Sequence, residues 1–479
     1  MTTLLPAIDA VEVRGDVSST AIRSVEFDSR RVGEGSLFCC VPGARTDGHL
    51  HAAEAVGRGA SALLCERILD LDVTQARVAE GGLRAAMAAV SSAFYGRPWQ
   101  DLRMIGVTGT NGKTTVTHLV QAILDHAGMS TGVIGTLAGE RTTPESPDLQ
   151  RRLADFRDEG RAAVAMEVSS HAMTQHRVDA IVFDVVAFTN LSRDHLDHHG
   201  SMDEYFAAKA RLFGPDRARS AVVAVDDPWG RRLASSLDGP SGPTLVPVRR
   251  EEASEVVTAV GATTFRWRGR RVHLPLTGRF NVDNALVAAA VAVTLGVTED
   301  QVVDGLATAC PIPGRMEVVA PDGGAPISVV VDYAHTPAGL EAALTSARAL
   351  AGSGRVLCLF GCGGDRDRGK RPEMGAVSSR LADVVVLTSD NPRSEDPLTI
   401  IDEIRSGLGG PPDGAEVRIE PDRARAVRLA VELAEPGDLV LLAGKGHEAT
   451  QTAAGGSRPF DDRTEASLAL TGRFGEAGA

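Results

Sequence analysis

Residues 106–115 read GVTGTNGKTT and directly follow a short apolar run at 102–105. A glycine-rich turn that ends in Lys-Thr, between a strand and a helix, surrounds polyphosphate with backbone N–H groups. In such a loop Lys113 supplies a positive charge to the phosphates, and the Thr114 hydroxyl can reach a Mg²⁺ ion. Apolar residues then recur at helical spacing as far as Gly128, where a helix C-cap is expected. This stretch predicts a P-loop that binds ATP or a close relative.

Length and composition predict a cytoplasmic protein of several domains. A chain of 479 residues is too long for one hydrophobic core. No window is apolar enough to span a bilayer, and the N-terminus lacks the pattern of a signal peptide, so we expect no membrane insertion. The net charge of −13 argues against a nucleic-acid partner. The six cysteines lack the paired spacing of a zinc site, so we expect reduced thiols.

Three regions separate by pattern and predict an α/β protein of three domains. Residues 1–101 mix short strand-like runs, at 36–41 and 60–65, with glycine-rich turns and form an N-terminal α/β domain. Residues 102–311 alternate apolar runs with helical stretches, which is the βαβ pattern of a parallel sheet. Within them, a polar segment at 238–271 is interpreted as loop-rich or as a strand pair. Residues 312–479 repeat the alternation and predict a Rossmann-like domain.

The strand ends of the third region carry polar clusters. Strands are predicted there at 328–331, 355–360, 383–387 and 438–442, and in the central region at 102–105, 162–166, 181–188 and 221–225. Ligands bind at the edge that the carboxyl ends of parallel strands share. Arg366, Arg393 and Lys445 bring cations to this edge of the third region, while Asp390 and Glu448 bring carboxylates. Both signs together suit a zwitterion, so we predict an amino-acid-like site facing the ATP site.

Two strand ends of the central region carry further polar residues. Glu167 ends a strand across the sheet from the P-loop, where a carboxylate can hold Mg²⁺ directly or through water. Residues 190–199 read NLSRDHLDHH and suggest a metal, but Mg²⁺ prefers oxygen ligands, so these histidines fit polar loop residues equally well. Taken alone, Lys209 is interpreted as a surface lysine, and Gln175 and Arg177 as surface residues.

Together these motifs resemble the Mur ligases, the ATP-dependent amino-acid-adding enzymes of peptidoglycan synthesis. In chain order they are TGTNGKTT, MEVSSHAM, FTNLSRDHLDHHG, GRFNVDN, PGRMEV, VDYAHTP, FGCGGDRDRGKRP, SDNPR and AGKGHE, and DSRRVGEGSLF precedes them. They extend from about residue 103 to residue 448. The sequence DNPR at 390–393 looks like the type that adds meso-diaminopimelate to UDP-N-acetylmuramoyl-L-alanyl-D-glutamate, rather than the lysine-adding type.

The resemblance implies roles for individual residues in nucleotide and metal binding. The residues that would bind ATP are Thr108, Gly109, Thr110, Asn111, Gly112, Lys113, Thr114, Thr115, Asn281, Arg315 and Asp332. Mg²⁺ would be surrounded by Thr114, Glu167 and His195. Lys209 would be modified by CO₂ to a carbamate, an oxygen ligand that helps to hold a second Mg²⁺. Lys113, Lys209, His195 and Glu167 would thus be the catalytic set.

The resemblance also implies the binding sites of the other two substrates. The residues that would bind the UDP-linked substrate are Ser29, Thr142, Thr143, Ser169, Gln175 and Arg177, and the first domain would hold the uridine end. The residues that would bind diaminopimelate are Arg366, Asp390, Asn391, Pro392, Arg393, Gly444 and Glu448. The motifs of the N-terminal region are short, so the uridine contacts are the least closely defined.

The reaction that the resemblance implies is stepwise. The D-glutamyl γ-carboxylate attacks the γ-phosphate of ATP, and the diaminopimelate amine then displaces phosphate from the acyl phosphate. We expect a monomer that acts on small molecules. A lysine-adding sibling is one alternative, and a non-catalytic nucleotide-binding relative is another, although the presence of Lys113 and Glu167 argues against the latter. The P-loop alone also fits a kinase or a sugar phosphotransferase, but the polar clusters at the predicted edge of the third domain argue against both.

Overall fold

The computed structural model describes residues 1–43, 46–139, 141–237, 239, 242–320, 324–409 and 415–474. Within these residues the chain forms three α/β domains in series, each built on a mainly parallel sheet. Two hydrophobic clusters flank each of these sheets, one on either face, so every domain has its own core. The predicted fold class is confirmed, while the boundaries at residues 101 and 311 stay a prediction.

The first domain is a five-stranded sheet with two helices. Its elements are β1 (Glu12–Arg14), β2 (Ser24–Glu26), β3 (Ser36–Cys39), α1 (Ala52–Gly57), β4 (Ala60–Cys65), β5 (Thr74–Arg77) and α2 (Leu83–Phe94). The strand order is β1-β5-β4-β3-β2, with β1 antiparallel to β5 and the other neighbours parallel. The strands predicted near residues 36–41 and 60–65 are β3 and β4.

The central domain contains a six-stranded parallel sheet. Its elements are β6 (Arg103–Thr108), α3 (Lys113–His126), β7 (Thr131–Ile134), α4 (Ser146–Asp158), β8 (Ala163–Glu167), α5 (Ser170–Thr174), β9 (Phe183–Phe188), α6 (Leu196–His199), α7 (Met202–Ala210), β10 (Ala218–Ala224), α8 (Pro228–Ser236) and β11 (Thr244–Val248). The strand order is β11-β10-β9-β6-β8-β7. The P-loop strand β6 therefore lies inside the sheet, between β9 and β8.

A second, antiparallel sheet completes the central domain and corrects one prediction. Its strands are β12 (Ala253–Ala259), β13 (Ala262–Trp267) and β14 (Arg270–Leu274), and helices α9 (Phe280–Thr294) and α10 (Glu299–Ala307) follow. The segment at 238–271, interpreted as loop-rich or a strand pair, thus contains the edge strand β11, strands β12 and β13 and the start of β14, with residues 238, 240 and 241 outside the described part. Arg266, Arg271 and His273 are exposed and alternate with buried residues in β13 and β14, so these strands form no continuous apolar run.

The third domain repeats the parallel architecture. Its elements are β15 (Glu317–Val319), β16 (Ser328–Asp332), α11 (Pro337–Ala351), β17 (Val356–Phe360), α12 (Lys370–Leu381), β18 (Val384–Leu387), α13 (Pro397–Arg405), β19 (Glu416–Ile419), α14 (Arg423–Leu433), β20 (Leu439–Ala443), β21 (Thr450–Ala453), β22 (Gly456–Pro459) and α15 (Asp462–Phe474). The main sheet has the order β15-β16-β20-β17-β18-β19, and β21 pairs with β22 in a separate hairpin.

Ion pairs join neighbouring domains. Arg31 of the first domain lies 2.9 Å from Asp148 of α4. Arg193, in the loop after β9, lies 3.2 Å from Asp367 and 3.0 Å from Glu373 in the third domain. Since both Arg193 and Asp367 follow the carboxyl end of a strand, the ligand-binding edges of the central and third sheets face each other.

Candidate active site

The P-loop connects the end of β6 at Thr108 to the start of α3 at Lys113. Gly109 has φ +150° and Gly112 has φ +87°, a backbone conformation that favours glycine. A Cβ at Gly109 would overlap the Thr189 hydroxyl, and one at Gly112 would overlap the Asn284 amide oxygen. Both glycines are therefore needed for the loop to pack this closely.

Two lysines converge on one carbonyl of the P-loop. The Lys113 Nζ donates to the Gly109 carbonyl at 2.9 Å and to the Thr110 carbonyl at 2.8 Å. The Lys209 Nζ donates to the same Gly109 carbonyl at 2.8 Å, and its side chain is buried. The interpretation of Lys209 as a surface lysine is wrong, because α7 packs it against a loop 100 residues away. Burial lowers the pKa of both lysines, and the Lys113 charge further lowers the pKa of Lys209.

Glu167 and Thr114 form an oxygen-rich pair beside the P-loop. The Thr114 hydroxyl donates to Glu167 Oε1 at 3.0 Å, and the Thr136 backbone N–H donates to the same oxygen at 2.8 Å. The Arg315 Nη2, from the third domain, lies 3.1 Å from the Thr114 hydroxyl. A hydroxyl and a carboxylate at this spacing suit a hard cation such as Mg²⁺.

His195 is held through a buried carboxylate. Its Nε2 lies 3.2 Å from Asp194 Oδ2, and His335 of the third domain lies 3.5 Å from the same oxygen. Burial lowers the pKa of His195 to about 3, so its ring is neutral near pH 7. Burial raises the pKa of Asp194, but the His335 hydrogen bond and nearby cations hold it well below the usual range. Within the described residues, no group of three or more His, Cys, Asp or Glu side chains has a geometry that could hold a metal.

The three predicted nucleotide residues outside the P-loop occupy different positions. Asn281 is fully buried and donates to the Thr277 carbonyl at 2.8 Å, while Asn284 lies between it and the P-loop glycine Gly112. Asp332 accepts from the Met316 N–H at 2.8 Å and so fixes the turn that carries Arg315. Arg315 reaches the P-loop directly, whereas Asn281 supports it through Asn284.

Five of the six predicted UDP-substrate residues lie together beside Glu167. Thr143 donates to the Glu167 carbonyl at 2.9 Å and accepts from the Ser169 N–H at 3.1 Å. Arg177 donates to the Thr143 carbonyl at 2.7 Å and to Gln175 Oε1 at 2.6 Å, so these two half-buried residues are not simple surface residues. Thr142 is bonded to the Thr136 hydroxyl at 3.0 Å. Ser29 lies in the first domain, where it donates to Glu54.

A cleft of about 220 Å³ lies between the central and third domains. Its polar lining includes Asp194, His195, His335, Arg366, Lys370, Asp390, Asn391, Arg393 and Glu448, together with Gly444. The predicted diaminopimelate residues therefore come together, except Pro392, whose carbonyl packs against Gly364. Lys445 was predicted to bring a cation to this edge, but it is fully buried and donates to Glu448 Oε2 at 3.1 Å and to the Thr450 carbonyl at 2.7 Å. Burial raises the pKa of Asp390.

Sequence reasoning assigned no role to several residues that shape the site. Asn190 accepts from the Asn111 N–H at 3.0 Å, and Asn284 packs on Gly112. His335 and Lys370 line the cleft. Asn190 and His335 follow strand ends, Asn284 lies on the helix after the GRF turn, and Lys370 begins a helix. These positions are visible in the sequence, but only the fold shows which of them face inward.

A phosphate-binding loop that faces a cleft of mixed charge defines a P-loop protein built to bring a nucleotide and a polar second substrate together. Three family models match: "Mur ligase family, catalytic domain" over residues 21–93, "Mur ligase middle domain" over 107–292, and "Mur ligase, glutamate ligase domain" over 314–446. The chain belongs to the Mur ligase family, and the prediction of an ATP-dependent ligase is confirmed by this membership.

Similar proteins extend over nearly the whole chain. UDP-N-acetylmuramoyl-L-alanyl-D-glutamate--2,6-diaminopimelate ligase of Syntrophomonas wolfei is 41% identical, with 97% of each chain covered. The protein of the same name from Geobacillus kaustophilus is 44% identical, with 94% of this chain and 95% of the relative covered. A solved structure with that ligase name is 30% identical, covers 97% of each chain and has a TM-score of 0.66. MurF of Acinetobacter baumannii, at 22% identity, 92% and 94% coverage and a TM-score of 0.68, shares the fold.

Among the described residues, no helix combines sufficient length with sufficient apolarity to cross a membrane.

Proposed function

We propose that this chain adds meso-diaminopimelate to UDP-N-acetylmuramoyl-L-alanyl-D-glutamate, with hydrolysis of ATP to ADP and phosphate. The observation that carries the proposal is the shared cleft, in which His195 of the central domain lies with Arg393 and Glu448 of the third domain. The cleft adjoins the P-loop, because Arg315 bonds the Thr114 hydroxyl and packs over the ring of Tyr333, which lines the cleft. The names of the relatives over the full chain length support the same reaction.

The charges of the cleft favour diaminopimelate over lysine. The far end of meso-diaminopimelate carries both an ammonium and a carboxylate, whereas the far end of lysine carries only an ammonium. Arg366 and Arg393 supply guanidinium groups for a carboxylate, and Asp390 and Glu448 supply acceptors for an ammonium. The far end of lysine would offer these guanidinium groups no carboxylate.

The chemistry follows from positioning and charge. The N-terminus of α3 and Lys113 would bind the phosphates of ATP, so the γ-phosphate faces the γ-carboxylate of the UDP-linked substrate. Oxygen of that carboxylate forms a bond to phosphorus as the bond to ADP breaks. The amine of diaminopimelate, held by the cleft, then forms the amide bond, and phosphate leaves with the carboxylate oxygen.

The donor set beside the P-loop fits Mg²⁺. Thr114 and Glu167 offer oxygen atoms, and His195 is neutral, with its ring directed toward Asp194. Bound here, the ion would neutralise phosphate charge. Glu167 would keep its orientation through the Thr136 N–H.

Lys209 fits the predicted carbamate. A carbamate forms when a neutral amine attacks CO₂ and releases a proton, so the reaction needs an amine with a lowered pKa. Burial and the neighbouring Lys113 charge lower the pKa of Lys209 in this way. The carbamate would replace the positive charge of the Lys209 ammonium with a negative charge beside the P-loop, which suits a site that binds Mg²⁺.

We further propose that the enzyme works as a monomer in the cytoplasm, where ATP is available. Sedimentation at several concentrations would test the oligomeric state.

The proposed reaction is tested by following phosphate release from purified protein with ATP, Mg²⁺ and the UDP-linked dipeptide. Meso-diaminopimelate and L-lysine are added in parallel. Release with diaminopimelate alone is the expected result. Release with lysine would contradict the substrate assignment, and release with neither would contradict the activity.

A further inference from the structure

The hairpin β21–β22 lies against the segment 390–393 and bonds it at three points. The Gln451 Nε2 donates to the Asp390 carbonyl at 2.8 Å. The Thr452 N–H donates to Asn391 Oδ1 at 2.9 Å, and the Thr452 carbonyl accepts from the Arg393 N–H at 3.0 Å. The hairpin is thus joined to the segment by one backbone–backbone bond and by two bonds that involve the side chains of Gln451 and Asn391.

The segment needs such support because Arg393 has φ +52°. A non-glycine residue in this left-handed region is strained, and it persists only where surrounding structure fixes it. The Thr452 carbonyl bonds the backbone of Arg393, and the Gly364 carbonyl accepts from its Nη1 at 2.6 Å. The hairpin therefore contributes to the direction in which the Arg393 side chain points.

Gln451 is itself held by a second residue. It is buried, and its Oε1 accepts from Arg458 Nη2 at 2.8 Å and from Arg458 Nε at 3.2 Å. An amide can be turned either way, and these two bonds fix the oxygen toward Arg458 and the nitrogen toward the Asp390 carbonyl. Arg458 is exposed and lies opposite Gln451 on the hairpin.

We propose that Gln451, oriented by Arg458, is a positioning residue that holds the segment 390–393 in the shape that reads the far end of diaminopimelate. The proposal rests on the proposed function, since the segment lines the cleft assigned to that substrate. Neither residue lines the cleft, so they act through the backbone of Asp390 and not by contact with the substrate.

The test is a comparison of Michaelis constants for the three substrates in Gln451→Leu, Arg458→Ala and the double variant. Gln451→Leu leaves a carbonyl unpaired, so the KM for meso-diaminopimelate is expected to rise about tenfold, or about 1.4 kcal/mol. The KM values for ATP and for the UDP-linked dipeptide should stay within about twofold, because within the described residues no hydrogen bond joins the P-loop to the hairpin or to the segment 390–393. Arg458→Ala should give a smaller rise in the same KM.

The double variant separates positioning from a general loss of packing. If Arg458 acts through Gln451, the double variant should be no worse than Gln451→Leu alone. Ser457→Ala is the matched control, because it removes an exposed hydroxyl of the same hairpin whose one hydrogen-bond partner within the described residues is Thr452 Oγ1. Arg458→Ala changes an exposed side chain and should leave the protein folded, so the proposal can still be tested if Gln451→Leu does not fold.

Two results would overturn the proposal in an enzyme that is active with meso-diaminopimelate. One is an unchanged KM for diaminopimelate in folded Gln451→Leu or Arg458→Ala. The other is an equal rise in all three KM values, which would indicate a merely structural role. A wild-type protein without diaminopimelate-dependent activity would instead refute the proposed function itself.

Discussion

A buried ion pair behind the amino-acid cleft offers a quantitative test of the structure. Arg423, at the start of α14, donates to Asp462 through Nε at 2.8 Å and through Nη2 at 2.7 Å, and both side chains are fully buried. The same guanidinium donates to the Ala443 carbonyl at 2.9 Å and the Ser389 carbonyl at 3.3 Å. These carbonyls directly precede Gly444 and Asp390, so the pair joins two strand ends that form the cleft.

Arg423→Met should therefore destabilise the third domain strongly. It leaves the Asp462 carboxylate buried without a cation, which costs about 3–5 kcal/mol. For a domain of this size that corresponds to a fall in Tm of roughly 6–20 °C. The double variant Arg423→Met with Asp462→Leu removes the unpaired charge as well, so it should be no less stable than Arg423→Met alone.

Scanning calorimetry of the full chain measures these changes in the transition of the third domain. Arg428→Met is the matched control, because Arg428 lies on the same helix, half-exposed and 3.6 Å from Glu465, and its loss should change stability by about 0.5 kcal/mol or less. A double variant that is less stable than Arg423→Met alone, or a Tm fall for Arg423→Met no larger than that of Arg428→Met, would refute the reasoning.

Three further substitutions test individual roles. Lys209→Ala should nearly abolish turnover, and short carboxylates such as acetate should partly restore it; full activity without them would refute the carbamate. Arg393→Ala should raise the KM for meso-diaminopimelate about tenfold to a hundredfold, because a charge-assisted hydrogen bond is lost, while the KM for ATP stays within about twofold. Equal losses for all substrates would contradict that role. Glu167→Gln should raise the Mg²⁺ concentration required for half-maximal activity, with Glu159→Gln on the exposed end of α4 as the control; an unchanged Mg²⁺ requirement would remove Glu167 from the ion's ligands.

Within the two six-stranded sheets, the strands that could be predicted are the inner ones. All four strands predicted in each of these regions lie inside the sheet, where burial on both faces produces continuous apolar runs such as VLCLF in β17. The strands of these two sheets that were missed, β7, β11, β15 and β19, are the edge strands. Edge strands are short and carry polar or proline residues, as in TLVPV of β11, so their pattern resembles that of a loop.

For the candidate site, too, only some of the structural features could be predicted from the sequence. Residues that act through a local motif, such as Lys113 and Glu167, could be placed from the sequence alone because strand–loop–helix geometry fixes their position. The burial of Lys209 and of Lys445 could not be predicted. Lys209 is buried against a loop 100 residues away, and Lys445 is buried against a segment that has no apolar pattern. The hairpin β21–β22 is likewise polar, and its role is visible only from the bonds it makes to the segment 390–393.

The most direct measurement follows one oxygen atom through the reaction. The UDP-linked dipeptide is prepared with ¹⁸O in both oxygens of the D-glutamyl γ-carboxylate and is incubated with the protein, ATP, Mg²⁺ and meso-diaminopimelate. The masses of the products are then measured by mass spectrometry. The acyl-phosphate reaction predicts a UDP-linked tripeptide together with released phosphate that carries one ¹⁸O atom. Phosphate without ¹⁸O, or labelled dipeptide that gains no diaminopimelate, would contradict it.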